Sequence, residues 1–298
     1  MPDFHLQRLQ PETRDRFDRA MARLPRPLSS YALTAHLLWR DHFTFWWAEA
    51  HDHFLLFAEY DGCVYMPLPP LGPPDASMVA DCFSWMDQRN ADRRISRIEN
   101  IAEEDEAFYR DNGWLTEAKA PEYVYNRSAL ADLKGNAYKT MRGSCNAFIR
   151  RYRSVDRPYR PSDQPAALAL LARWKAQRRH PDPVYQQMIL DSESVHRRAL
   201  SEGANIGLTG WVIEVDGQLA GYTFGFPLCN DTFCVALEVT DLSLSGASAH
   251  LFRIFCRTLV GYQWINTMDD GGFPNLRRTK EAYRPVRHLG CFLARRDG

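Results

Sequence analysis

The segment Asp269–Pro285, D-D-G-G-F-P-N-L-R-R-T-K-E-A-Y-R-P, combines residue types and spacing that suit anion binding. Two acids and two glycines run into a short helical pattern. Arg277, Lys280 and Arg284 lie three and four residues apart, so a helix would gather them on one face. Leu276 and Tyr283 fall on another face, where they would dock on a core. A helix that is apolar on one side and cationic on another, directly after a glycine turn, is shaped to hold a phosphate or carboxylate. The same pattern also suits a solvated basic helix.

A second basic run covers Lys134–Arg160, where Asp156 is the one acid. Ala137, Met141, Cys145, Phe148 and Tyr152 make a helical stripe that should face a core. Lys134, Tyr138, Arg142 and Asn146 step by four along its flank, where core meets water. They would either present polar groups into a cleft or snorkel at a helix edge.

Other chemistries leave no trace. No G-x-S-x-G, H-E-x-x-H or Walker loop occurs. The nine histidines show no metal spacing, and the seven scattered cysteines form no Cys-x-x-Cys pair, so no metal site is expected. Thirty-seven basic and 37 acidic residues cancel, which argues for neither DNA nor a membrane surface. No apolar run reaches the ~20 residues that cross a bilayer, and the N-terminus lacks a signal-peptide core. A reduced, cytoplasmic protein is expected.

The elements that must position these residues read as two halves built alike. In the second half, a helix bearing Ala167, Leu168, Leu171 and Trp174 precedes another that follows a break at Pro181 to Pro183. A hairpin turning at Asp216-Gly217 comes next, then the strand T-F-C-V-A-L-E-V-T-D. A helix near 247–259, a strand near 262–267, the basic helix and a last strand near Cys291 complete it. The first half repeats the order less clearly: a hairpin at Asp61-Gly62, a helix near 77–88, a strand near 95–101, the helix A-F-Y-R-D-N-G-W and a strand near Tyr123. The boundaries expected are 1–128 for one domain, 129–154 for a connecting basic helix and 155–298 for the other. The fold class is α/β (α+β), with mixed sheets flanked by helices.

That order resembles the GNAT acyltransferases, and two such units resemble the tandem architecture of the Fem-type and lipid-aminoacylating transferases. Three segments narrow the likeness: E-Y-V-Y-N with L-K-G-N-A-Y-K-T-M-R-G-S-C-N-A-F, then A-L-E-V-T-D, then the Asp269–Pro285 run. Together they look like the phosphatidylglycerol lysyltransferase C-terminal domain family. The resemblance implies that Arg142 and Asn146 flank a cleft and that Glu238 and Asp241 end the central strand. It sets Asp269, Asp270, Arg277 and Lys280 around the last short helix. The sequence departs in having Arg142-Gly143 where the family carries Arg-Asn.

Acyl transfer from an activated donor needs an oriented acceptor, a stabilised oxyanion and one moved proton, with no nucleophilic triad. Glu238 is the expected proton acceptor or amine binder, with Lys280 a further catalytic candidate; Asp241 either assists them or caps a helix with Ser243 and Ser245. The S-L-S-G-A-S-A-H run would open a helix where coenzyme A pyrophosphate binds in GNAT domains, but it holds a single glycine and no arginine before Arg253. The donor expected is therefore the acceptor end of an aminoacyl-tRNA gripped by Arg142, Arg277, Lys280 and Arg284, without a cofactor. The alternatives are an acyl-coenzyme A donor, or a catalytically silent binding module on the same fold. The acceptor would be a small molecule or peptide bearing an amine or hydroxyl.

Overall fold

The structure, a computed structural model, describes residues 3–178, 182–229 and 231–297. Pro181, in the expected break between two helices, lies outside them. The chain forms two compact units, Met1–Glu122 with Leu289–Gly298, and Tyr123–His288.

The first unit runs β1 (Gln7–Arg8), α1 (Arg14–Arg23), α2 (Leu33–Leu38), β2 (Thr44–Ala50), β3 (His53–Tyr60), β4 (Cys63–Tyr65), α3 (Ala76–Asp87), β5 (Ile98–Ala102), α4 (Glu106–Asp111) and β6 (Leu115–Ala118). Strands β1 to β4 form an antiparallel meander. Asp61 and Gly62, both at positive φ (49° and 71°), close its last hairpin as a two-residue turn requires. The run F-L-L-F in β3 is buried on both faces. Leu55 and Phe57 join a core with Cys82, Trp85 and Met86 of α3, while Phe54 meets Phe17 of α1 edge-on at 5.5 Å. Burial on both faces explains why the strand reads as continuously apolar.

The second unit contains β7 (Glu122–Asn126), α5 (Arg127–Asp132), α6 (Lys139–Arg151), β8 (Ser154–Pro158), α7 (Gln164–Gln177), α8 (Pro183–Glu202), β9 (Thr209–Val215), β10 (Gln218–Pro227), β11 (Thr232–Thr240), α9 (Ala247–Thr258), β12 (Trp264–Asn266), α10 (Pro274–Ala282) and β13 (Arg287–Leu289). Its sheet has the order β13-β7-β12-β11-β10-β9-β8, and the β11–β12 pair is parallel. The crossover helix α9 packs beside α5 and α6. Phe148 of α6 and Ala247 and Leu251 of α9 bury Ile213 and Val215 of β9.

Four expectations are corrected here. The linear boundaries at 128 and 155 give way, because strand pairing does not follow chain order. Strand β7, expected to finish the first half, pairs with β12 through Tyr125↔Ile265. The final strand β14 (Cys291–Arg295), expected in the second half, inserts between β5 and β6 of the first unit. The connecting helix is no linker: Cys145 and Phe148 of α6 are fully buried in the second unit. It also starts late, at Lys139, because Gly135 turns the chain at φ 81°. Ala137 therefore leaves the stripe and Lys134 its flank, and both are exposed. At the other end of the chain, α10 stops at Ala282, so Arg284 does not share a helical face with Arg277 and Lys280. Pro285 disfavours the α conformation at its predecessor, and Arg284 sits at φ 59° instead.

Candidate active site at the splayed strand

Strands β11 and β12 pair in register only from Thr232↔Trp264 to Cys234↔Asn266. Beyond that point β11 keeps its partner on the β10 side and, among the described residues, has none on the other. The β10 register also shifts there, with Phe224 opposite Leu237 and Gly225 opposite Val235, so Ala236 is an extra, bulged residue. A bulge bends its strand and re-aims the side chains that follow it. The gap opens into a cavity of about 220 Å³ lined by Val235 to Glu238 on one side and by Thr267 and Lys280 on another. Tyr125, Phe252 and Tyr283 supply aromatic walls.

Glu238 is the first carboxylate after the bulge. Ser248, in the first turn of α9, donates its hydroxyl to Glu238 Oε1 at 2.6 Å. Glu238 is half-buried, and burial pushes its pKa from 4.5 up to about 7, against the opposing pull of the Ser248 hydrogen bond and the Arg178 charge. Burial has this sign because the ionised form loses most solvation. A carboxyl poised near neutrality is suited to take a proton from an acceptor and return it. The Tyr283 hydroxyl is its neighbour; burial, and next the Glu238 charge, drive the phenol well above its usual range. Its ring stands edge-on to Phe252 at 4.8 Å and to Tyr125 at 6.5 Å.

The expected cations are mostly engaged. Lys280 Nζ donates to the carbonyl oxygen of Thr267, lies 3.4 Å from that of Met268 and 5.7 Å above the Tyr123 ring. It lines the cavity but directs its donors to oxygens of the loop after β12. Asp270 is fully buried. Burial alone would raise its pKa, but hydrogen bonds from Arg277 Nε (2.9 Å), the Tyr123 hydroxyl (2.6 Å) and Gly272 N (2.9 Å) outweigh it and hold the carboxyl low. Asp270 therefore anchors α10 to β7. Asp269 is exposed and accepts from Gly271 N in its own turn.

Arg142 folds back on α5, donating to the carbonyls of Leu133 and Gly135, the latter at 2.9 Å. Asn146 is exposed, and Tyr138 is half-buried with Arg284 as its charged neighbour. None of these four is among the cavity-lining residues. Asp241 accepts from Ser243 Oγ at 2.6 Å and Ser243 N at 3.0 Å, with Arg173 at 3.6 Å, and so orders the loop before α9. Gly246 serves packing: a side chain there would meet the Ser144 carbonyl of α6 at 2.5 Å. Of the residues singled out in the sequence, the cavity gathers Glu238, Lys280, Leu276 and Tyr283. It adds Tyr125, Phe252 and Ser248; Tyr125 and Ser248 lie in the E-Y-V-Y-N and S-L-S-G-A-S-A-H segments, but their place on the cavity depends on the splay. No group of His, Cys, Asp or Glu among the described residues could hold a metal ion.

The sequence model of the family described as phosphatidylglycerol lysyltransferase, C-terminal, matches residues 21–295. The chain belongs to that family. No curated protein matches it. Among solved structures, a conserved protein of unknown function from Bacteroides thetaiotaomicron superposes with a TM-score of 0.87 at 22% identity, covering 98% of this chain and 99% of that one. L-PGS from Bacillus licheniformis superposes at 0.68 with 16% identity, over 97% of this chain and 93% of that one. FemX superposes at 0.60 with 7% identity, over 96% of each. A tandem GNAT protein from the clavulanic acid biosynthesis pathway superposes at 0.53 with 10% identity, over 98% of each chain. The fold is thus the tandem GNAT-like, Fem-like one, and family and fold together are those of an acyltransferase. Among the described residues no helix is long and apolar enough to cross a membrane.

Proposed function

We propose that this member of the family transfers an aminoacyl group from aminoacyl-tRNA to an amine or hydroxyl acceptor in the cavity beside β11. The observation that carries the reading is Glu238, a carboxyl with a pKa near 7 where the central strand, among the described residues, has parted from β12. The unpaired edge of β11 from Val235 to Glu238 offers backbone N–H groups to a carbonyl oxygen that gains charge in the transition state. Glu238 takes the acceptor's proton as the acceptor attacks the ester carbon, the carbon–oxygen bond to the ribose breaks, and Glu238 returns the proton to the departing ribose oxygen. Arg277 and Arg284 are exposed, and phosphates of a tRNA acceptor end would meet them there.

The test is transfer of labelled amino acid from a panel of charged tRNAs to amine and hydroxyl acceptors. Glu238→Gln is expected to lower kcat by about 10²- to 10⁴-fold. Transfer that is absent with every charged tRNA, or equal in wild type and Glu238→Gln, overturns the reading.

The open β11 edge also favours a second reading, in which the extended arm of an acyl-coenzyme A pairs with it as an added strand. That reading predicts thermal stabilisation by an acyl-coenzyme A, ~2.7 kcal/mol at 100 times its dissociation constant. No shift with any chain length excludes it.

A further inference from the structure

Resting on that transferase reading, we propose that the acceptor is a primary amine that enters this cavity as its ammonium ion. There the Glu238 carboxylate and the rings of Tyr125, Phe252 and Tyr283 select it. A glycerol-type hydroxyl, which the family description would suggest, matches these walls less well.

The geometry favours a cation on three grounds. Among the described residues one carboxylate oxygen of Glu238 is hydrogen-bonded, to Ser248, which leaves the second for a donor from the cavity. An ammonium supplies three donors and can approach a carboxylate from any side. Next, the aromatic rings come from different elements and are fixed: the Tyr125 hydroxyl donates to the Lys280 carbonyl at 3.1 Å, and Tyr283 packs edge-on to Phe252. Ring faces attract a desolvated cation and give nothing comparable to a neutral hydroxyl. Last, of the cations expected to make the site anionophilic, Arg142, Arg277 and Arg284 are not among the residues lining the cavity, and Lys280 turns its Nζ to the Thr267 loop.

Among the described residues the groups that face Glu238 are few. Ser248 and the Cys256 thiol come from α9, Tyr283 and Lys280 from α10 and its end, Tyr125 from β7, and Arg178 from the end of α7. Arg178 stacks on Trp174 at 4.9 Å and makes no hydrogen bond to Glu238, so it biases the carboxylate without occupying its free oxygen.

The proton balance closes. The bound ammonium gives one proton to Glu238 and becomes a nucleophilic amine. Its nitrogen bonds to the ester carbon, and the carbon–oxygen bond to the ribose breaks. The nitrogen's second proton goes to the departing oxygen, leaving an amide N–H. Glu238 then releases its proton to water, one per turnover.

The experiment measures binding without any donor, by isothermal calorimetry with n-butylamine and n-butanol as probes from pH 6 to 8. Butylammonium should bind and butanol should not. Its affinity should rise roughly tenfold over this range as Glu238 ionises, since the amine stays protonated throughout. Glu238→Gln should abolish that rise, Tyr283→Leu should weaken binding about five- to tenfold, and Tyr283→Phe should change it less than twofold. Equal affinity for butanol, or pH-independent binding in the wild type, overturns the proposal whatever the variants do. Butylammonium binding as expected with no transfer from any donor supports the ammonium site and overturns the transferase reading. Transfer to hydroxyls with no butylammonium binding does the reverse.

Discussion

The hydroxyl of Ser248 sits 2.6 Å from Glu238 Oε1, joining the first turn of the crossover helix to the end of the central strand. A hydrogen bond given to the ionised form lowers a carboxyl's pKa, so this contact opposes the burial that raises it. Ser248→Ala is expected to move the pKa of Glu238 further up by about one unit, given ~1–2 kcal/mol for a hydrogen bond to a charged group. The acidic limb of the transfer rate against pH should shift by that amount, with the plateau rate retained at high pH. An unmoved limb would mean that another group sets it.

Glu238 also predicts a stability difference. In the unfolded chain the carboxyl titrates near 4.5, and in the folded protein near 7. Below pH 4.5 both states hold the proton. As pH rises towards 7 the unfolded state releases it more readily, so the folded state loses stability over that window. Glu238→Gln cannot ionise and escapes the loss. Urea denaturation should show the variant gaining on wild type by on the order of 2 kcal/mol at pH 8 relative to pH 4, a figure reduced for the solvent that reaches the carboxyl from the cavity. A catalytically weaker variant that is more stable at alkaline pH would be the mark of a site held under strain for function.

The sequence made the elements legible where one local rule decides them. The two Asp-Gly hairpins demand a left-handed pair, which Asp216 and Gly217 adopt at φ 49° and 76°. The crossover helix follows its apolar spacing, and Glu238 stands on the expected strand. What stayed illegible was long-range pairing. Nothing local says that Cys291–Arg295 enters the first unit's sheet or that β7 joins the second, because an apolar strand fits either. The same limit applies to the cations. Spacing brings Arg142 and Lys280 near a cleft, but it cannot say that open carbonyls at Leu133, Gly135 and Thr267 take their donors first. The aromatic wall exists only because β11 and β12 part after Asn266.

Arg142 separates a structural role from phosphate binding. Its guanidinium satisfies the carbonyls left open where α5 ends in the left-handed Leu133. Arg142→Ala should cost about 1–2 kcal/mol in urea denaturation, the usual worth of charge-assisted hydrogen bonds in a part-exposed place. Affinity for charged tRNA should fall by less than about threefold when measured where the variant is fully folded. A large affinity loss at unchanged stability would return Arg142 to the donor site.

Asp270 is the strongest lever on the site from outside it. Its carboxylate joins Tyr123 of β7, Arg277 of α10 and the Gly271-Gly272 turn, and so sets where α10 carries Lys280 and Leu276 along the cavity. Asp270→Asn keeps the shape but loses the charge and cannot satisfy all three donors. A cost of about 2–3 kcal/mol is expected at pH 7, because Arg277 is exposed and keeps its solvation when left alone. The folded pKa of Asp270 lies below its ordinary 3.8, so its stabilisation is present above that value and is lost as pH falls through the depressed one. The difference between wild type and variant should therefore hold from pH 8 to about pH 4.5 and shrink by pH 2.5. Transfer activity should drop more than the folded fraction does, since α10 loses its tether before the unit unfolds. Full activity in a variant destabilised by that amount would show that α10 holds its position without this carboxylate.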